Sequence, residues 1–360
     1  MKGRALIAMS GGVDSSVAAA LMQESGYECI GVTMKLFSKE AAGDSGQKDG
    51  VHPEDTEDAR AVAHKLGIRF DVCNFTEDFT GCVLERFVHA YETGKTPNPC
   101  IYCNRYIKFG RLFQYAKELS CEVLVTGHYA RTAYDGKHSR WQLKRGVNRA
   151  KDQSYVLCFM TQEQLAHTIF PLGEFEGKDQ VREIAHRYGL TNASRHDSQD
   201  ICFVPDGDYA GFIERYTGKK YPGGDFVSPE GRVLGQHKGI IRYTIGQRKG
   251  LGLALPAPLY VRKKDVEKNQ VILAPEKDLY SRTLTAYDFN WISREAPRPG
   301  ETIRVTAKPR YRAKEAEAEA RVQEDGSVVV VFDEPQRAIT TGQTVVLYDG
   351  ELVVGGGIIS

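Results

Sequence analysis

Ser10-Gly11-Gly12-Val13-Asp14-Ser15-Ser16 stands between a short apolar run and a longer apolar-periodic one. The run before it, Ala5-Leu6-Ile7-Ala8, reads as a buried strand. Val17-Ala18-Ala19-Ala20-Leu21-Met22 after it reads as a helix stopped at Gly26. A Gly-rich turn between strand and helix leaves backbone N–H groups unpaired, and these together with the helix dipole favour an anion, above all a phosphate. Gly11 and Gly12 let the backbone approach a ligand with no Cβ in the way. Ser10, Ser15 and Ser16 add hydroxyl donors. Asp14 is unexpected here, because a carboxylate repels phosphate; it fits if it caps the helix, orients the loop or helps hold a cation. The spacing lacks the Lys that a Walker loop places after its second Gly.

Outward from this turn, Cys29–Met34 reads as a second strand and completes a βαβ unit. Lys39–Gly50 is polar and Gly-rich and reads as a loop. Ala59, Val62, Ala63 and Leu66 keep helical spacing up to Gly67, and Ile68–Val72 is a third strand. A helix spans about Phe75–Tyr91, another follows Cys103, and Glu122–Val125 is a further strand. Alternating strands and helices predict an α/β, doubly wound parallel sheet, with ligands at the carboxyl ends of its strands. That places Gly11, Met34 and Gly127 near one crevice, with His128 beside it.

After His128 the pattern changes. Tyr129–Tyr134 and Trp141–Lys144 read as a hairpin closed by Asp135-Gly136. Thr161 and Gln164 suggest a capping box, and Lys178–Tyr188 a helix stopped at Gly189. Val261–Leu273 suggests a hairpin turning at Lys268-Asn269-Gln270. From about Arg282 only short strands with turn signals remain, which predicts a C-terminal β-barrel or sandwich. Glu315–Ala320 reads as the charged face of a strand or short helix. The expected division is 1–206, a small mixed central domain over 207–280, and a barrel over 281–360.

The 360 residues carry a formal net charge of +1, so nothing global argues for nucleic acid and any such contact needs local basic patches. No apolar run approaches the ~20 residues that cross a bilayer, and no signal-peptide pattern opens the chain. A cytoplasmic protein with no membrane partner is expected. Its eight Cys are then core, metal-binding or redox residues rather than a disulfide framework. Cys29, Cys73, Cys82, Cys121 and Cys158 sit in strand or helix patterns and read as structural. Cys100, Cys103 and Cys202 lie in polar, Pro- or Asp-rich loops, where a core reading fits poorly. Two prolines stiffen Thr96-Pro97-Asn98-Pro99-Cys100 before a helix, and the dipole, Arg105 and Lys108 are expected to lower the Cys103 thiol pKa. A Cys-x-x-Cys pair suits redox exchange or metal binding.

Together these stretches resemble the tRNA-specific 2-thiouridylases, members of the PP-loop ATPase superfamily, whose SGGxDS loop binds pyrophosphate. The resemblance rests on Ser10–Ser16, Thr96–Arg105, Thr126–Tyr129, Lys151–Tyr155, Asp197–Val204, Thr244–Leu253 and Tyr311-Arg312. It implies ATP on Ala8, Met9, Ser10, Gly11, Gly12, Val13, Asp14 and Ser15, with Met34 and Gly127 nearby and Mg²⁺ on the leaving pyrophosphate. It implies that O2 of the wobble uridine is adenylated. A sulfur-relay protein loads Cys202 as a persulfide, and Cys103 is the partner thiol that ends in a Cys103–Cys202 disulfide. The chain departs from the pattern at Cys100, where the family commonly has Asp. Cys100 can stand in for that carboxylate, or Cys100, Cys103 and Cys202 can hold three irons of a [4Fe-4S] cluster whose fourth iron binds the sulfide.

Reaching an anticodon base requires turning it out of its stack. Basic candidates for RNA contact are Lys144, Arg145, Arg149, Arg242, Arg248, Lys249, Lys308 and Arg310. The resemblance singles out Lys151, Asp152, Gln153, Tyr311, Arg312, His128 and Gln343 for tRNA, and Asn98, Pro99 and Cys100 for the target base. Two rivals remain at this stage. One is another adenylating ligase on the same loop, amide-forming or argininosuccinate-type, which has no need of Cys103 or Cys202. The other is an iron–sulfur RNA-binding regulator, which leaves Ser10–Ser16 unexplained.

Overall fold

The computed structural model describes residues 2–37, 53–190, 192 and 201–360; the loop expected over Lys39–Gly50 and the Asp197–Asp200 part of the second Cys stretch lie outside them. Strand β1 (Arg4–Ala8) leads through the Ser10–Gly12 turn into α1 (Val13–Glu24), and β2 (Glu28–Lys35) follows. Helix α2 (Pro53–Leu66) and β3 (Arg69–Asn74) come next. Two longer helices change type along their length. The first, α3, is α-helical over Thr76–Phe79, π-helical over Thr80–Leu84 and α-helical again over Glu85–Glu92. The second, α4, runs through Pro99–Tyr102, a π-helical Cys103–Arg111 and Leu112–Glu118.

Helix α4 therefore starts before Cys103, not after it. Asn98 accepts from Cys100 N–H as its N-cap, and Pro99 occupies the first helical position, where its missing donor costs nothing.

Strands β4 (Val123–Val125) and β7 (Thr168–Ile169) complete a five-stranded parallel sheet in the order β3-β2-β1-β4-β7. Between them lie β5 (Ala130–Asp135), β6 (Arg140–Arg145) and the short α5 (Gln162–Ala166), which carries the Thr161–Gln164 capping box. In β1, Leu6 packs into one apolar cluster while Ala5 and Ile7 pack into the other, so both faces of the sheet are covered. Strand order reverses between β1 and β4, and that switch point opens the crevice.

Helices α6 (Lys178–Arg187) and α7 (Tyr209–Thr217) precede a small mixed sheet. Its strands are β8 (Gly224–Val227), β9 (Val233–His237), β10 (Tyr260–Asp265) and β11 (Gln270–Ala274), ordered β10-β11-β8-β9 with β11 and β8 parallel. The last part of the chain is β12 (Tyr280–Trp291), β13 (Thr302–Lys308), β14 (Ala316–Val322), β15 (Val328–Arg337), β16 (Thr344–Asp349) and β17 (Leu352–Ile359). Pairing of β12 with both β15 and β17 closes these six antiparallel strands into a barrel. In β14, Ala318 and Ala320 face the barrel core while Glu317 and Glu319 face out, as the strand reading of that run requires.

The β5–β6 hairpin does not stay with the parallel sheet. Leu352 of β17 pairs with Lys144 of β6, which extends the barrel sheet to eight strands. Buried Arg145 clamps this junction: it bonds Glu315 through both terminal nitrogens and lies 3.6 Å over the Tyr348 ring. Arg145 is therefore a structural cation, and Arg149, paired with Glu351, belongs to the same seam.

Candidate active site

The switch point between β1 and β4 opens into a cavity of about 430 Å³. Ala8, Met9, Ser10, Asp14 and Ser15 line it from the first turn, and Met34 lines it from β2. Gly11 and Gly12 form the bend behind them, while Val13 turns into the core. Gly11 has φ +76°, and a Cβ there would lie 2.5 Å from Asp55 O. Gly12 is the N-cap of α1 with no side-chain bond, so the first-turn N–H groups keep their capacity for an anion. The hydroxyls of Ser15 and Ser16 both donate to Gly12 O, at 2.9 and 3.1 Å, and stiffen the bend from inside. Asn192 donates to Gly11 O (2.7 Å) and to Ser16 Oγ (2.9 Å), holding the loop from the far side.

Asp14 now has a physical account. Its Oδ1 accepts from Lys178 Nζ at 2.7 Å and from Tyr129 Oη at 2.9 Å. The ammonium offsets the charge that would oppose a phosphate, and the two donors fix the carboxylate. The partners lie 115 and 164 residues away in the chain, so no local pattern points to Lys178, Tyr129 or Asn192.

Directly beside the loop, the end of β4 supplies Thr126, Gly127 and His128 to the lining. A Cβ on Gly127 would lie 2.9 Å from Asp14 C and Ser15 N, so only glycine lets this strand end press against the loop. His128 is buried, with Nδ1 2.7 Å from Thr126 Oγ1, and burial, aided by the Lys108 charge, holds its imidazole well below the usual range. It is a neutral cavity wall at pH 7.

Helix α4 forms the opposite wall with Pro99, Cys100, Cys103, Asn104 and Lys108. Cys202 completes it from the turn Ile201–Val204, anchored by Phe203, whose ring lies 5.2 Å from that of Phe87. The three cysteines that the sequence set apart thus share one cavity with the anion loop, and all three are free thiols. Cys29, Cys73, Cys121 and Cys158 are buried in the core.

The electrostatics of Cys103 differ from expectation. Burial pushes its thiol up to about 11, and the Lys108 charge offsets this only in part. Arg105 does not help: it is turned to Asp288, accepting partner at 3.0 Å, and lies over Phe159. Burial raises Cys100 and Cys202 as well, although both keep surface accessible through the cavity mouth with protein packed around them. All three are thiols at rest at neutral pH.

The barrel reaches the same site. Gln343 Nε2 donates to Thr96 O at 2.8 Å and Thr96 N–H donates to Thr341 O at 2.9 Å, which pins the loop before Asn98. Tyr311 lies near Cys100 and donates to Asp152 O at 3.4 Å. Asp152 accepts from Gly146 N, Ser154 N and Ser154 Oγ, so it shapes the 146–154 turn. Gln153 lines the cavity while its Oε1 accepts from Tyr129 N at 3.0 Å. Arg312 is exposed and Lys151 half-buried at the same end. Arg242 is paired with Glu214, and Tyr243 is buried, which removes that pair from the exposed basic surface.

A [4Fe-4S] cluster needs three convergent thiolates. Among the described residues no three His, Cys, Asp or Glu are arranged to hold a metal ion, and the site as folded does not fit that group. No helix among them is long and apolar enough to cross a membrane.

Residues 3–206 match a family described as a tRNA methyl transferase HUP domain, 210–275 a tRNA methyl transferase PRC-barrel domain, and 281–359 an aminomethyltransferase beta-barrel domain. The chain is 50% identical to the tRNA-specific 2-thiouridylase MnmA of Acetivibrio thermocellus, covering 99% of each protein. It is 48% identical to that of Clostridioides difficile, over 100% of this chain and 98% of the other. Among solved structures, a 4-thiouridine synthetase–RNA complex with bound ATP aligns at TM-score 0.36 and 19% identity over 61% of this chain and 54% of its own, too distant to bear on function. Near-complete coverage at half identity, in three successive domains, leaves one conclusion: the chain belongs to the tRNA-specific 2-thiouridylase family.

Proposed function

We propose that this protein is a tRNA-uridine 2-sulfurtransferase that uses ATP, giving AMP and pyrophosphate, to thiolate C2 of the wobble uridine, position 34. The observation that carries the reading is the single cavity lined by both the Ser10–Ser15 loop and Cys100, Cys103 and Cys202. An adenylating ligase that forms amides has no use for three thiols beside its phosphate loop.

ATP phosphates sit on the first turn of α1, where Gly11 and Gly12 allow close approach and Lys178 offsets Asp14. A bound Mg²⁺ would neutralise charge on the departing pyrophosphate; Asp14 and Asp55 are the carboxylates of the lining. Uridine O2 attacks the α-phosphate, and pyrophosphate leaves. The terminal sulfur of a Cys202 persulfide, loaded by a sulfur-relay protein, then attacks C2 and displaces AMP. The Cys103 thiolate attacks Cys202 Sγ, the S–S bond breaks, and its electron pair stays with the sulfur now on C2. A Cys103–Cys202 disulfide remains, and an external thiol reduces it. Cys100, a thiol at neutral pH, meets the base from the Asn98–Pro99 loop as a hydrogen-bond donor rather than a proton acceptor. Lys151, Tyr311 and Arg312 meet the anticodon loop around the flipped base.

The test uses iron-free protein, an unmodified tRNA transcript, ATP, Mg²⁺ and a persulfide donor, with 2-thiouridine read in the nucleoside digest. Product that is lost in Cys103→Ser and Cys202→Ser supports the reading. Product only after anaerobic iron and sulfide loading would replace the persulfide step with a cluster on rearranged cysteines. None in either preparation returns the chain to the adenylating ligases.

A further inference from the structure

Helix α4 brings Cys100, Cys103 and Asn104 to the cavity at α-helical spacing, and then Lys108. In a regular α-helix Lys108 would stand about 140° around the axis from Cys103. The segment Cys103–Arg111 is π-helical instead, and Leu112 N–H bonds to Ile107 O five residues back. That wider period returns Lys108 to the face that carries Cys103. A π-helical stretch is a poorer helix than the α form, so its retention at a cavity wall asks for a reason. The other cations nearby are otherwise engaged: Arg105 by Asp288 and Lys178 by Asp14. Among the described residues that line the cavity, Lys108 is the one lysine or arginine. Its charge opposes the effect of burial at Cys100, Cys103 and Cys202 alike.

We infer that Lys108 is the electrostatic partner of the transferring sulfur: its ammonium stabilises the Cys103 thiolate as it attacks and the anionic Cys202 persulfide before it. This rests on the sulfurtransferase reading above. Thiolates are needed twice in the cycle, and each forms in a wall that disfavours charge. A lysine carried on the same helix face as Cys103 supplies that charge without a separate loop. It acts after adenylation, so it belongs to the sulfur half of the reaction rather than to phosphate binding.

The full-length wild type, Lys108→Met and Lys108→Arg separate these roles. Pyrophosphate release with unmodified tRNA reads the first half, and 2-thiouridine the second. Iodoacetamide labelling of Cys103 in the tRNA-free protein, followed by peptide mass spectrometry from pH 7 to 10, reads the thiolate directly. Lys108→Met is expected to keep its KM for ATP within about twofold and to lose 2-thiouridine by about 100-fold, the usual cost of removing one charge-stabilising group. Its Cys103 labelling curve moves to higher pH, and Lys108→Arg restores both. A Lys108→Met enzyme with an unmoved labelling curve and a raised KM for ATP would overturn the inference and assign Lys108 to phosphate. If Lys108→Met does not fold, Lys108→Gln carries the same readings. Wild-type protein that makes no 2-thiouridine would sink the sulfurtransferase reading alone, since the labelling curves still report whether Lys108 acts on Cys103.

Discussion

Two residues with no chemistry of their own set the geometry of the phosphate loop. Gly127 is one: the strand end that carries it touches the backbone of Asp14 and Ser15. Gly127→Ala is expected to push the α1 N-terminus off its position and to cut pyrophosphate release by about 100-fold, the scale that a displacement near 1 Å costs. Far-ultraviolet circular dichroism should stay close to wild type. Lys178 is the other, and it is a counter-charge. Lys178→Met leaves the half-buried Asp14 carboxylate short of its cation and should raise KM for ATP and lower Tm, with a cost of about 1–3 kcal/mol. Asp14→Asn with Lys178→Met removes both charges, and its Tm should recover part of the loss. A double variant as unstable as the sum of its singles would show that the pair is not coupled.

At the scale of elements, the docking of the β10–β11 hairpin against the end of α3 encloses an unusual amine. Lys264 is buried, its Nζ has no hydrogen-bond partner among the described residues, and it stands 5.7 Å from the Tyr91 ring. Burial pulls its pKa from 10.5 down to about 8. Between those values the folded protein holds a neutral amine while the unfolded chain keeps its proton, so this group makes stability rise with pH from about 8 to 10.5. Below pH 8 its penalty is present in full. Lys264→Met should therefore be more stable than wild type at pH 7, by roughly 3 kcal/mol at most, and the difference should shrink by pH 10. Denaturant titrations of both proteins at the two pH values check this, since groups common to both cancel. Elements were legible in the sequence where periodicity speaks: β1, β2, β3 and β4, the Thr161 capping box and the Ala/Glu alternation of β14. Much of the cavity lining was legible too, because Ser10, Met34, Gly127 and the three cysteines lie in motifs or at strand ends. The π-helical segments were not, because a run such as Ile107–Phe113 carries the same apolar pattern for either helix type. The engaged state of Arg105 was hidden as well, because Asp288 sits at a bulge in β12 with φ +50°, 183 residues away.

At the scale of the whole molecule, the three parts are bound by more than linkers. Leu352 pairs with Lys144, Tyr155 Oη donates to Thr344 O at 2.6 Å, and Arg105 meets Asp288. One apolar cluster runs from Leu6 through Val261 to Tyr348 and Ile358. A chain cut at residue 280 should therefore lose its sheet partner for β6 and expose this cluster. It is expected to aggregate or to unfold well below the full protein, and limited proteolysis of the intact protein should release no stable fragment ending near 280. A soluble, cooperative 1–280 fragment would show that the barrel merely adjoins the rest. The β6–β17 seam carries one more implication, for how the protein is born. Residues 130–145 leave the ribosome long before Leu352 exists, and N-terminal regions fold first during synthesis. The nascent ATP-binding half must wait with an open sheet edge, its Thr96–Cys100 loop not yet tied down by Gln343. Until β17 pairs with β6 and Gln343 holds Thr96, the cavity wall that carries Cys100 and Cys103 lacks its outer support, so closure of the barrel is a late checkpoint on a site whose cysteines were made much earlier.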